Sequence, residues 1–264
     1  MKFIKNTKKH ILLLKIITTK ILKKFDKFVS ESWSKIIIQI ESSRRTFFVS
    51  YEKCYSYNMA KVYLIGGTPR VGKTTLLLRT ISKQPMLATS SDAIRYMLRQ
   101  VISRDAKPDL FHLGKFTSND PERVEYLKTH SMDIVNVQNK EAVIVWKSVK
   151  DFIHSNLEDG FDVLIEGIHI LPEFVKQLDC DYKAVFLGNK SDNHFQTILN
   201  FARKNENDWM HSLEDETIEA FSIFNKTFSQ YIETEANKYD LTYIEMHDDN
   251  FESDIESALD SLLR

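Results

Sequence analysis

The stretch Gly66-Gly67-Thr68-Pro69-Arg70-Val71-Gly72-Lys73-Thr74-Thr75 lies between the apolar run Val62–Ile65 and the run Leu76-Leu77-Leu78. From Gly67 to Thr74 it fits G-x-x-x-x-G-K-[ST] at every position, in the strand–loop–helix context that the pattern requires. Few short patterns restrict a fold as much. Gly67 and Gly72 allow backbone angles closed to other residues, so successive N–H groups can turn inward around an anion. A helix opening near Lys73 adds its positive end. Gly67, Thr68, Arg70, Val71, Gly72, Lys73, Thr74 and Thr75 are therefore expected to cradle a polyphosphate. Lys73 should reach the β- and γ-phosphates, the Thr74 hydroxyl Mg²⁺, and Thr75 the α-phosphate.

Five apolar, β-branched or aromatic runs punctuate residues 59–264: Val62–Ile65, Met86–Thr89, Val163–Ile165, Ala184–Leu187 and Thr242–Met246. Segments with helical periodicity separate them: Leu76–Ser82, Ala93–Ile102, about 121–156, Asn193–Asn205, Leu213–Lys238 and Phe251–Leu263. Strands alternating with helices predict an α/β fold, a parallel sheet covered on both faces. Ligands of such sheets gather at the carboxyl ends of the strands.

A phosphate loop serves either a switch that hydrolyses nucleotide or a transferase. Asn189-Lys190-Ser191-Asp192, after the run Ala184–Leu187, resembles the guanine-reading N-K-x-D of GTPases. A GTPase also needs D-x-x-G at the end of an earlier strand. The matching run here ends Leu164-Ile165-Glu166-Gly167, and D-x-x-G occurs nowhere in the chain. Asn189–Asp192 then reads as a strand-to-helix turn with Asp192 as N-cap.

Two other segments favour transfer. In Ser90-Ser91-Asp92-Ala93-Ile94-Arg95, with Arg99 one turn on, Asp92 is either an N-cap or a carboxylate facing an acceptor hydroxyl. Arg95 and Arg99 share a helical face and suit an anionic group. In Val163–Pro172, Glu166 closes a buried strand, where it could orient metal-bound water or assist the acceptor, and His169 follows as a substrate contact or a structural histidine. Pro172 is placed to start a short helix. The acceptor pocket is expected from residues 90–135 and 168–175, with Tyr96, Phe111, His112, Lys115 and Arg123 as candidates.

Together, G-G-T-x-x-x-G-K-T, S-D-A-I-R-x-x-x-R and I-E-G-I-H-I-L-P resemble the 2-phosphoglycerate kinase family and its small P-loop kinase relatives over roughly residues 60–190. I-E-G-I-H is the most telling, because a generic phosphate loop does not require it. The resemblance implies a three-layer P-loop NTPase fold with a five-stranded parallel sheet of order 2-3-1-4-5. It implies an ATP- and Mg²⁺-dependent phosphotransferase acting on a small anionic metabolite, with Lys73, Thr74, Asp92, Arg95 and Glu166 lining the site. Thr74 and Glu166 are the metal candidates. Asp92 is the first candidate to take the acceptor's proton, and the roles of Asp92 and Glu166 could be exchanged. Small kinases of this architecture close an arginine-bearing lid, for which Arg203, followed by the polar stretch Lys204–Trp209, is the candidate. Arg70 departs from the family, which has small residues there; it could reach phosphate or face solvent. A nucleoside or polynucleotide kinase and a regulatory GTPase stay open as alternatives.

Charge divides the chain near Met59. Residues 1–58 hold 13 Lys+Arg against 4 Asp+Glu and contain no Gly or Pro; the rest holds 23 against 33. An acidic main unit argues against nucleic-acid binding. The head, 1–58, reads as a basic helical extension, with Lys20, Lys23, Lys24 and Lys27 on one face and Ile21, Phe25 and Phe28 on another. Three readings fit it: an amphipathic arm for peripheral contact with an anionic membrane, a helix packed on the main unit, or a segment upstream of a native start at Met59. The apolar runs are too short for a membrane span or signal peptide. Two cysteines, Cys54 and Cys180, suit a reduced, cytoplasmic setting. The expected units are 1–58 and 59–264.

Overall fold

The computed structural model describes residues 60–111 and 118–264, together with the backbone of four short strands between Trp33 and Cys54. The chain divides into two compact units, Met1–Met59 and Ala60–Arg264. In the first, Trp33–Ser34 pairs with Lys53–Cys54 and Ile38–Ser42 with Arg45–Val49, both antiparallel. Helix is expected there from sequence, and at the residues of these four strands that expectation is corrected. Ile38-Gln39-Ile40-Glu41 alternates with period two, and Thr46-Phe47-Phe48-Val49 is β-branched and aromatic, which favours strand. The basic face with Lys20, Lys23, Lys24 and Lys27 lies outside the described residues.

The second unit is built on five parallel strands: β1 (Val62–Gly67), β2 (Leu87–Ser90), β3 (Val163–Glu166), β4 (Tyr182–Gly188) and β5 (Thr242–Glu245). Their order across the sheet is β2-β3-β1-β4-β5, the 2-3-1-4-5 order of the P-loop NTPase fold. Eight helices are described in this unit: α1 (Lys73–Lys83), α2 (Ser91–Val101), α3 (Pro121–Thr129), α4 (Ser131–Glu158), α5 (Pro172–Val175), α6 (His194–Lys204), α7 (Asp215–Lys238) and α8 (Phe251–Leu263). Among the described residues, no helix is long and apolar enough to cross a membrane.

β1 is buried along its whole length and alternates between two cores. Val62 and Leu64 join Ile134, Val145 and Phe228, from α4 and α7, on one face. Tyr63 and Ile65 join Leu76, Ile255 and Leu259, from α1 and α8, on the other. A central parallel strand covered on both sides must be apolar at every position, which is why Val62–Ile65 reads as an unbroken run.

One helix is expected over about 121–156, but two are found, α3 and α4, hinged at His130 (φ −125, ψ 35). Hydroxyls on both sides of the break turn back on the chain: Thr129 Oγ1 donates to Glu125 O at 2.7 Å and Ser131 Oγ to Leu127 O at 2.7 Å. Such back-bonding bends and interrupts helices.

The sheet register brings the carboxyl ends of the strands level. Glu166 pairs with Ile65 of β1 and with Ser90 of β2, and Gly67 pairs with Leu187 of β4. At Gly67 (φ 122) the loop leaves β1 so close to β4 that a Cβ would lie 2.0 Å from Leu187 O. That oxygen accepts the Thr68 N–H at 3.1 Å. Gly67→Ala is expected to lower the unfolding free energy in a denaturant titration by at least about 3 kcal/mol, from backbone strain and clash together. Gly160→Ala, also at positive φ but with nothing within 4 Å of the added carbon, should lose only about 1–2 kcal/mol.

Candidate phosphate and acceptor site

The loop between β1 and α1 is held from behind by α7. Asn225 Nδ2 donates to Pro69 O at 3.2 Å, and the Ser229 and Thr68 hydroxyls lie 3.2 Å apart. Ser229 Oγ also receives the Asn189 N–H at 3.0 Å, tying the end of β4 to the same point. Sequence reasoning passed over Asn225 and Ser229. Their signal is a polar pair, four residues apart, on a helix face otherwise made of Phe221, Phe224 and Phe228, all of them buried. The N-cap of α1 is Gly72 at φ 92, with no side-chain cap, so the first N–H groups of α1 have no capping side chain.

Lys73 opens α1 and is buried, its Nζ donating to Thr68 O at 2.5 Å. Burial lowers its ammonium below the ordinary lysine range, while Glu166 and Asp92 pull it back up. Glu166, at the end of β3, is 8% exposed and accepts from Thr74 Oγ1 at 3.5 Å. Burial raises its carboxyl, against the pull of Lys73. An oxygen pair of hydroxyl and carboxylate matches the hard-donor preference of a divalent cation that takes its other ligands from phosphates and water.

The N-cap of α2 is Ser90, whose Oγ accepts the Ala93 N–H at 3.1 Å. Asp92 is thus not the cap. Its side chain is 39% exposed and pairs with Arg95 Nη2 at 3.1 Å. Gly167 (φ 145) lets the chain after β3 pass under this helix start, where a Cβ would meet Ser91 Oγ at 1.9 Å. His169 is fully buried and its Nδ1 lies 2.8 Å from Ser91 Oγ. Burial drives its pKa down to about 3, so the ring is neutral. Lys73, Glu166, Asp92, Arg95 and His169 are therefore brought together at the ends of β1, β2 and β3.

Arg95 and Arg99 do share a face, and what they meet is Glu141 of α4. Arg99 Nη2 lies 2.9 Å and Arg95 Nη1 3.7 Å from Glu141 Oε1, and Arg99 Nε donates to Leu110 O at 2.7 Å. The clamp already carries an internal counter-charge, which sequence reasoning missed. The signal was present: Gln138 and Glu141 fall on the stripe of α4 that includes Ile134, Ala142 and Val145. Arg95 Nε, Gln138 Oε1, Glu141 Oε2 and His169 Nε2 are buried without a hydrogen-bond partner among the described residues. Tyr96 and Phe111 stack under Arg95 and Arg99; His112 and Lys115 lie outside the described residues.

Arg203 sits differently from a lid arginine. It donates to Met210 O, His211 O and Leu213 O and pairs with Asp215, so it fixes the loop after α6 from within. The guanidinium on the wall of the adjoining cavity is Arg70. That cavity, about 540 Å³, is also lined by Lys73, Thr75, His194, Asp248 and Phe251.

The GTPase-like Asn189–Asp192 has its charged side chains engaged within the protein. Lys190 pairs with Glu233 at 2.6 Å and lies 3.4 Å from Glu245, while Asp192, 87% exposed, pairs with Lys226. Only Asn189 of the four lines the cavity. Asp192 is not the N-cap of α6 either; that position is Asn193, without a side-chain cap.

Curated sequences are similar to this chain. A 2-phosphoglycerate kinase of Thermococcus kodakarensis is 26% identical over 146 residues, 55% of this chain and 49% of that protein. One of Methanothermobacter thermautotrophicus is 24% identical over 207 residues, 77% and 64% respectively. The chain resembles the 2-phosphoglycerate kinases. It spans about half to just under two thirds of the length of these relatives. No protein-family model matches it. Among solved structures, a shikimate kinase of Bacteroides thetaiotaomicron superposes with a TM-score of 0.41 at 19% identity, over 75% of this chain and 95% of that one.

The buried acid at Glu141 has a pH signature. Burial pushes its carboxyl up to about 7 from an ordinary 4.5, against the pull of Arg95 and Arg99. Between those values the folded chain holds a proton that the unfolded chain has released, so this group's contribution to stability falls as pH rises from 4.5 to 7. Unfolding titrations across that range should show Glu141→Gln gaining stability relative to the parent as pH rises. His169 contributes the opposite slope in both proteins and cancels in the comparison.

Proposed function

We propose that residues 59–264 form an ATP- and Mg²⁺-dependent phosphotransferase that moves a γ-phosphoryl group to a hydroxyl of a small anionic metabolite of the 2-phosphoglycerate type. The observation that carries the reading is the convergence of a phosphate-loop lysine with two carboxylates at adjacent strand ends, with a pair of arginines behind them. A switch protein has no use for the acceptor half. The similarity to curated 2-phosphoglycerate kinases supports the same chemistry.

In this reading Gly67–Thr75 holds the donor phosphates by backbone N–H groups, and Lys73 follows the charge that spreads onto them. Thr74 and Glu166 hold the metal, which when bound supplies charge neutralisation for the phosphates. Asp92, half-exposed and on the acceptor side, takes the proton of the attacking hydroxyl. Arg95 and Arg99 face the acceptor's anionic group, with Glu141 keeping both side chains extended toward it. Neutral His169 fixes Ser91, and through it the first turn of α2 and Asp92. The protein's work is positioning and charge compensation, because phosphoryl transfer asks for little covalent chemistry from side chains.

Two measurements test this. A screen of phosphorylated acids, sugars and nucleosides should give acceptor-dependent ADP release that is largest with a phosphorylated hydroxy acid. Lys73→Ala should lower turnover by about 10³-fold or more with the fold retained by circular dichroism, on the scale seen when a preorganised charge-stabilising group is removed. Turnover surviving that change would remove the loop from the reaction, and acceptor-independent GTP hydrolysis would point to a switch instead.

A further inference from the structure

The phosphoryl-transfer reading leaves one cation unaccounted for. Transfer requires positive charge on the departing side of the phosphoryl group, and Arg203 is committed to three carbonyls and Asp215. Arg70 stands inside the phosphate loop, two residues before Gly72, and lines the same cavity as Lys73 and Thr74. It adopts φ 65, a left-handed conformation that a residue with a side chain takes up at a cost. Its electrostatic effect reaches Lys73.

The way Arg70 is held is specific. Nη1 and Nη2 donate to the two carboxylate oxygens of Asp208, each at 2.6 Å. Asp208 Oδ1 also accepts the Met210 N–H at 2.8 Å, so the carboxylate is itself fixed in the loop after α6. The rings of Phe201 and Trp209 lie 5.5 and 5.6 Å from the guanidinium carbon. The pair is well shielded, with Asp208 7% and Arg70 19% exposed. A guanidinium has five N–H groups, and Asp208 takes one from each terminal nitrogen. Nε–H and a second hydrogen on each Nη have no protein partner among the described residues. The carboxylate thus engages one edge of the fork and leaves another edge available for a phosphate, whose geometry it matches.

We propose that Arg70 is the cation that meets the transferring phosphoryl group, and that Asp208, Phe201 and Trp209 are positioning residues that aim it. In the step, the bond from the γ-phosphorus to the β–γ bridging oxygen breaks and its electron pair stays on that oxygen. A bond forms from the acceptor oxygen to the γ-phosphorus, and the acceptor's proton goes to Asp92. Arg70 donates hydrogen bonds to the phosphoryl oxygens and the bridging oxygen as charge grows there. The arginine that related architectures carry on a moving lid is here built into the loop and is oriented by α6 and the segment after it. This inference rests on the phosphoryl-transfer reading.

The test uses the full chain with Mg-ADP, alone and with aluminium fluoride, which mimics the phosphoryl group in flight. The parent should bind Mg-ADP more tightly in the presence of fluoride. Arg70→Ala should lose that increment by about 10²–10³-fold while its affinity for Mg-ADP alone changes less than about threefold. Arg70→Lys should not restore it, because an ammonium lacks the fork. Millimolar guanidinium ion should restore part of it to Arg70→Ala, a rescue that a merely structural arginine would not allow. Asp208→Asn should lower kcat for 2-phosphoglycerate-dependent ADP release by about tenfold with an unchanged KM for ATP, the mark of lost orientation. Retention of the fluoride increment in Arg70→Ala, or equal losses for Mg-ADP with and without fluoride, would overturn the proposal. A parent protein showing no increment, with Lys73→Ala binding Mg-ADP as well as the parent does, would instead overturn the phosphoryl-transfer reading beneath it.

Discussion

A lysine ammonium buried at the start of a helix is the constraint around which this unit is arranged. Lys73 has lost most of its water, and its charge is sustained by carboxylates that arrive from other strands. Glu166 can do this only because β3 lies beside β1, and Asp92 only because β2 lies beside β3. The 2-3-1 part of the sheet order is therefore also an electrostatic arrangement. Isolated charges at this depth would be costly, and together they compensate one another. Each half of the set depends on the other being folded.

The acceptor side follows the same logic one layer out. Arg95 and Arg99 are anchored by a glutamate from α4, and the interruption at His130 sets where that helix begins. A pair of arginines closed by an internal carboxylate differs from a bare anion trap. Two guanidinium groups face one carboxylate, so the cluster stays positive, with its charge reduced only as far as Glu141 is ionised.

Much of the fold was legible because its signals are local. Unbroken apolar runs marked the buried strands, and the glycine spacing of residues 67–72 marked the loop. Glu166 closes the run of β3, and Asp92, in the first turn of α2, follows the run of β2 by two residues, so the sheet order brings both toward Lys73. Glu141, Asp208, Asn225 and Ser229 were not read, since each acts on a partner 42 to 161 residues away. Their only local trace is polarity on a buried stripe, or an acid in a polar loop that looks solvated. The bonds of Arg203 were not readable for a related reason: a helix-end arginine reads as exposed unless the path of the following loop is known. The strands between residues 33 and 54 were overlooked because lysine-rich surroundings masked a short alternating pattern.

The wall of the nucleotide-sized cavity is finished late in the chain. Phe251, the first residue of α8, packs so near Gly72 that a Cβ there would lie 2.7 Å from its ring, and Arg79 of α1 pairs with Glu252 and Glu256 of the same helix. During synthesis the loop at residues 67–74 emerges almost two hundred residues before its cover does. A growing chain can thus display the glycine loop without being able to enclose a ligand in it. The wall is complete only when the last helix has packed over α1.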